Sequence, residues 1–148
     1  MDDMLENLAA APLTRVVKSS SAFTEIAVKS LECKEKALYY LGNADILRVV
    51  YSEEYDSGIY IPNRVDLGIA VKMLVLDSPL TRKYQKKDSQ EIRETRFLKE
   101  QTDMKHSFLL YDDTVVFFLS GEEVTGLVIQ SQPVADTMKQ MFLAMWDR

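Results

Sequence analysis

The run IAVKMLVLD, residues 69–77, constrains this chain more than any other stretch. Apolar side chains fill almost every position, so no wet and dry sides alternate along it. A strand that is apolar on both faces has to be covered on both faces, and parallel or mixed sheets do this with helices. Two helices follow from local signals. Ser78 and Pro79 open SPLTRKYQKKD as an N-cap and a first helical position. Ser131 precedes QPVADTMKQMFLAMWDR, in which Val134, Met138, Met141, Phe142, Met145 and Trp146 share an apolar side. A methionine-rich stripe at helical spacing serves as core or dimer contact.

The rest of the chain alternates in the same way before ending in a run of strands. Residues 1–20 are weakly patterned and read as an arm or linker remnant ahead of a domain at 21–148. Within them DDMLENLAAA suggests a short helix, and LTRVVKSSS a strand that ends in a Ser-rich turn. A longer helix is expected from Ser21 as N-cap, with Phe23, Ile26, Ala27, Leu31, Leu38 and Leu41 along one stripe and Gly42-Asn43 as a left-handed stop. DILRVVYS has the β-branched density of a strand. SGIYIPNRVDLG reads as a short helix or turn around Pro62 that closes at Gly68. EIRETRFL suggests an edge strand, SFLLYDDTVVFFLS a hairpin turning at Asp112-Asp113, and EVTGLVIQS a further strand. Alternation followed by strands gives the fold class α/β, a mixed β-sheet flanked by helices.

With 148 residues the chain suits one domain. Its net charge, 18 − 23 = −5, opposes its gripping nucleic acid unaided, since phosphate binding needs a basic field. Residues 81–100 run the other way, with seven Lys/Arg against four Asp/Glu. This fits a solvated helix and strand edge, or a docking patch for an anionic ligand or partner domain. No apolar run approaches a bilayer's width, and the acidic N-terminus lacks the basic start of a signal peptide. One cysteine, Cys33, forms no internal disulfide, so a cytoplasmic, reducing setting is the default. Cys33 reads as an inert thiol in mid-helix.

Little in the sequence announces chemistry. One histidine and one cysteine, far apart, make no zinc cluster, and no glycine-rich loop cradles phosphate. Neither a metal nor a cofactor is implied. His106 and Asp113 are seven apart, across a strand and a turn. That spacing resembles HxKxxxxD, the half-site of the phospholipase D superfamily, in which the resemblance makes His the nucleophile and Lys the holder of phosphate oxygens. The Lys position is Phe108 here, and Lys105 precedes His106, so strand alternation denies it that slot. The stretch therefore looks like a half-site without its cation, and no catalytic residue is expected.

Four ordered pieces sharpen the resemblance: NRVDLGIAVKMLVLD (63–77), RETRFL (93–98), SFLLYDDTVVFFLSGEEVTGLVIQSQPVADTM (107–138) and MFLAMW (141–146). Together they resemble the sensor domain of TrmB-like transcriptional regulators, a degenerate phospholipase D-like domain. The resemblance implies a non-catalytic regulatory domain that binds a small effector, with His106, Asp113, Arg93 and Arg96 as candidate ligand contacts. It implies a homodimer as well, with two half-sites face to face. DNA would be met only through a winged-helix domain, which is not among these residues. Two other readings stay open. One is a phosphodiesterase or nuclease that uses His106, with Arg93 or Arg96 in place of the lysine. The other is an interaction scaffold without a ligand.

Overall fold

The computed structural model describes residues 11–148, and the helix expected at 2–11 lies, but for its last residue, outside the described residues. The elements, in chain order, are β1 Leu13–Val17, α1 Ser20–Ser30, β2 Ala37–Gly42 and α2 Ile46–Val50. Next comes α3, an unbroken helical stretch made of Glu53–Tyr55, a π-turn Asp56–Tyr60 and Ile61–Asp66. β3 Ala70–Val75, α4 Pro79–Lys86, β4 Arg93–Phe97, β5 Ser107–Tyr111, β6 Thr114–Leu119, β7 Thr125–Gln130 and α5 Gln132–Trp146 complete the chain.

Seven strands form one mixed sheet in the order β1-β7-β6-β5-β2-β3-β4. β2, β3 and β4 run parallel, while β5, β6, β7 and β1 add to β2 as antiparallel neighbours. Helices cover both faces, as the apolar β3 run requires. Alternation along β2 sorts the core. Leu38 and Tyr40 join Val71, Met73, Val116 and Phe118 beneath α1–α4. Tyr39 and Leu41 join Leu74, Leu110 and Val115 beneath α5. No helix among the described residues is long and apolar enough to cross a membrane.

The expected helix from Ser21 is corrected in two ways. Its N-cap is Ser19, whose hydroxyl accepts from Ala22 N–H at 3.2 Å, and it stops at Ser30. Leu38 and Leu41 belong to β2, and Gly42 ends that strand rather than a helix. A short run that is apolar throughout fits either period, and hydrogen-bonded neighbours on both sides of β2 settled it. Cys33 therefore lies in the loop after α1, not in mid-helix, and burial raises its thiol pKa. Asp112 holds that loop: its carboxylate accepts Lys34 N–H at 2.9 Å and Glu35 N–H at 3.1 Å.

DILRVVYS is a helical turn, α2, rather than a strand. Both edges of β2 are taken by β3 and β5, so the chain leaving β2 finds no sheet position beside it. Val49 stays 72% exposed as a result. In α3 the wide turn precedes Pro62, which has no N–H to offer, and Ile61 N–H reaches five residues back to Asp56. Within the segment 1–20 read as an arm, residues 13–17 form the edge strand that pairs with β7. Along α5 the core takes Ala135, Phe142 and Trp146, with Met138 and Val134 half-buried. Met141 and Met145 are 57% and 41% exposed, because the expected stripe is wider than one helix can press against a sheet.

Candidate functional site

The carboxyl ends of β2 and β3 meet the start of β5, and His106 stands at this junction. Its carbonyl accepts Asn43 N–H at 3.1 Å, and its Nδ1 accepts Ser120 N–H at 3.0 Å. In the neutral ring this leaves the proton on Nε2. Gly42 passes so close, at φ +121°, that a Cβ there would collide with the His106 carbonyl. Two residues on, Phe108 packs edge-on to Phe117, ring centroids 5.9 Å apart, against the apolar layer beneath α5.

The other sequence-derived candidates lie elsewhere. Asp113 is at the far end of β5, about 20 Å away at the rise of a strand. Its carboxylate accepts from the Thr114 hydroxyl at 3.0 Å and the Gln130 amide at 3.3 Å, and its carbonyl from Ser131 N–H at 2.8 Å. Those bonds tie the hairpin turn to the start of α5. Arg93 and Arg96 are three apart on β4 and so face opposite sides of the sheet. Arg93 is buried, bonded to Glu91 at 2.8 Å and Asp88 at 3.4 Å, with its guanidinium 4.7 Å from the Tyr84 ring centre. Arg96 donates to the Trp146 carbonyl at 2.6 Å and lies 4.1 Å from that indole's centre, a favourable place for a cation at a helix C-terminus. His106, Asp113, Arg93 and Arg96 do not converge on one site.

A different constellation does converge. Beneath α1–α4 lies a cavity of about 90 Å³ that opens between α2, α3 and α4. Met73, Leu109 and Phe118 supply its sheet side. At its mouth the Tyr84 hydroxyl donates to Asp56 at 2.6 Å, and Arg48 stands 3.6 Å from the same carboxylate. Tyr51 donates to the Phe23 carbonyl at 2.7 Å and stacks on Tyr55 at 5.9 Å, while Tyr60 shares a 2.7 Å bond with Ser30. Burial pushes the Tyr60 hydroxyl up to about 12, and lifts Tyr51, Tyr84 and Tyr40 as well. Arg64 is buried behind them and donates to the carbonyls of Ile69 (2.7 Å), Glu91 (2.6 Å) and Ile92 (3.2 Å). Its desolvation, and then the nearby Arg93 charge, lower its pKa.

Reasoning from the sequence missed this site. One signal was present: tyrosines 51, 55 and 60 cluster within ten residues. Tyr84 and Arg48 arrive from other elements and carry no such mark. No group of three His, Cys, Asp or Glu side chains among the described residues is placed to hold a metal ion.

The chain matches no protein-family model and no curated protein sequence. Solved structures share its architecture. TrmBL2, an archaeal chromatin protein whose structure shows a novel mode of DNA binding, aligns over 99% of this chain and 58% of its own, at 19% identity and TM-score 0.63. This chain thus spans 58% of the length of TrmBL2. NucT from Helicobacter pylori aligns over 93% of this chain and 97% of its own, at 11% identity and TM-score 0.66. Polyphosphate kinase from Porphyromonas gingivalis aligns over 96% of this chain and 27% of its own, at 10% identity and TM-score 0.58. At such identities the likeness is one of fold: a phospholipase D-like mixed sheet between helices, as the TrmB-like resemblance implied.

Proposed function

We propose that this chain is a regulatory domain on a phospholipase D-like fold, one that binds a small effector and carries out no phosphoryl transfer. One observation carries the reading. Phosphoryl transfer needs a cation aimed at the charge that develops on the phosphorus oxygens. Two residues after His106 the strand presents the Phe108 ring, packed against Phe117. Neither Arg93 nor Arg96 stands in, since each is committed to partners on its own face of the sheet. The His106 Nδ1 lone pair is engaged by Ser120 N–H.

The likeness to TrmBL2 supports a setting linked to transcription or chromatin. A net charge of −5 argues against this domain gripping DNA by itself and favours contact through a winged-helix domain. Self-association fits the same reading, and the exposed Met141 and Met145 offer apolar contact for it. A cytoplasmic setting suits the single unpaired Cys33. The likeness to NucT keeps a phosphodiesterase as the second reading, with His106 as its nucleophile.

The test is a thermal-shift screen against sugars, nucleotides, phosphoesters and small organic acids, run beside a phosphodiesterase assay. Stabilisation by one class without turnover is the expected result. Turnover that disappears in His106→Ala overturns the proposal in favour of an enzyme. Neither stabilisation nor turnover overturns it in favour of a scaffold.

A further inference from the structure

The cavity beneath α1–α4 selects its ligand by size, lining and charge. A volume of about 90 Å³ is well under the roughly 150 Å³ of an apolar cavity that accepts a six-carbon ring, so it takes a tail of about three carbons. Most of its lining hydroxyls are already bonded: Tyr84 to Asp56, Tyr60 to Ser30, Tyr40 to Ser107 and Tyr51 to the Phe23 carbonyl. No buried side-chain nitrogen or oxygen among the described residues lacks a partner. The part of a ligand that enters is mainly hydrocarbon, because Leu38, Leu47, Ile61, Val71, Met73 and Phe118 make up most of the wall.

The mouth differs from the interior. Arg48 makes only long contacts there: 3.5 Å to the Tyr51 carbonyl, 3.5 Å to the Tyr84 hydroxyl and 3.6 Å to Asp56. Good N–H···O bonds are near 2.9 Å, so this guanidinium, 32% exposed, has donors to spare. Charge points the same way. Three arginines, 48, 64 and 93, line the cavity against one carboxylate, Asp56. Arg93 is balanced by Asp88 and Glu91, but Arg64 donates to carbonyls alone. The π-turn sets Asp56 and Tyr60 on the cavity wall, and such turns inside α-helices are frequent at functional sites.

We infer that this cavity binds a short-chain monocarboxylic acid, with a tail of about three carbons inside and its carboxylate on the Arg48 guanidinium at the mouth. The inference rests on the effector reading and gives that effector a site and a chemical class. A carboxylate placed on Arg48 also comes close to Asp56, which the Tyr84 hydroxyl holds at 2.6 Å. Asp56 therefore opposes the ligand, and removing its charge strengthens binding.

The experiment is calorimetric titration and thermal shift of the chain with acetate, butyrate, valerate, octanoate, butyramide and butylamine. Butyrate and valerate bind and stabilise, while acetate, octanoate, butyramide and butylamine do so weakly or not at all. Arg48→Gln weakens butyrate by about tenfold or more, as loss of a charged hydrogen bond does. Asp56→Asn keeps an acceptor for Tyr84 and tightens butyrate. Met73→Phe fills the cavity and abolishes binding, with folding checked by circular dichroism. Leu109→Phe fills it from β5 should the first variant not fold. The inference is overturned by an equal response to butyrate and butyramide, by stabilisation that keeps growing through octanoate, or by weaker butyrate binding in Asp56→Asn. No response to any acid overturns it too. Stabilisation by a sugar or nucleotide that survives Met73→Phe overturns the site and leaves the effector reading standing. Phosphodiester turnover lost in His106→Ala overturns the effector reading itself.

Discussion

The two faces of the sheet are covered in opposite ways. On one face a single helix, α5, lays Ala135, Phe142 and Trp146 against Tyr39, Leu41, Leu74, Leu110 and Val115. Phe142 stacks on Trp146 at 5.7 Å and meets Tyr39 edge-on at 5.3 Å. Cations close the margins, with Lys139 over Tyr39 and both Lys72 and Arg96 over Trp146. On the other face four helical pieces share the cover, and their tyrosines are tied by hydroxyl bonds around a cavity. A continuous stripe can interdigitate along its whole length, whereas short pieces leave space where their ends meet. The α5 face holds the sheet, and the opposite face has room for a ligand.

The comparison is broken most severely from the α5 side. Phe142→Ala or Trp146→Ala is expected to cost about 3–5 kcal/mol in denaturant unfolding, because the deleted ring leaves a void in a close-packed layer. Losses under about 1 kcal/mol would show that this face, too, is loosely packed. Next comes Arg64→Met on the cavity side, at about 2–3 kcal/mol, since the carbonyls of Ile69, Glu91 and Ile92 lose their donor. A smaller effect is expected from Tyr60→Phe, about 1 kcal/mol for one hydrogen bond to Ser30.

The hydroxyls of the cavity face also give it a pH dependence. The Tyr60 pKa is about 12 in the folded chain, against about 10 for an unperturbed tyrosine. Its stabilisation is therefore complete below about pH 10 and is lost as pH rises toward about 12, where the unfolded chain binds fewer protons than the folded one. Melting temperature should fall across that window, and less steeply in Tyr60→Phe. The smallest effect belongs to Met141→Ser with Met145→Ser, within about 0.5 kcal/mol for exposed positions of a monomer. Sedimentation analysis sharpens this point: a dimer in the parent chain that dissociates in the double variant would place the self-contact on α5.

Strong local signals carried through to the structure. Ser78 caps α4 with a full capping box, and Ser131 caps α5. Asp112 turns the β5–β6 hairpin at φ +48°, the left-handed geometry that aspartate tolerates. The errors cluster between residues 31 and 50, where apolar residues are so dense that period no longer separates helix from strand. The same applies to function. His106 drew attention because a spacing can be read along a chain. The cavity could not be read, because Arg48, Asp56, Tyr84 and Arg93 come from four different elements.

The sequence by itself determined the class of fold: a β3 run apolar on both faces demanded helices above and below it. It also determined the caps of α4 and α5, the hairpin turn and the phenyl at position 108, since each is set by neighbours a few residues away. Only the tertiary structure decided that ALYYLG is a strand and DILRVV a helix, because the free places beside β2 depend on β3 and β5, which arrive later in the chain. It alone gathered the tyrosines around one opening. Burial and contact depend on distance in space, and sequence spacing records that distance only within a turn or a hairpin.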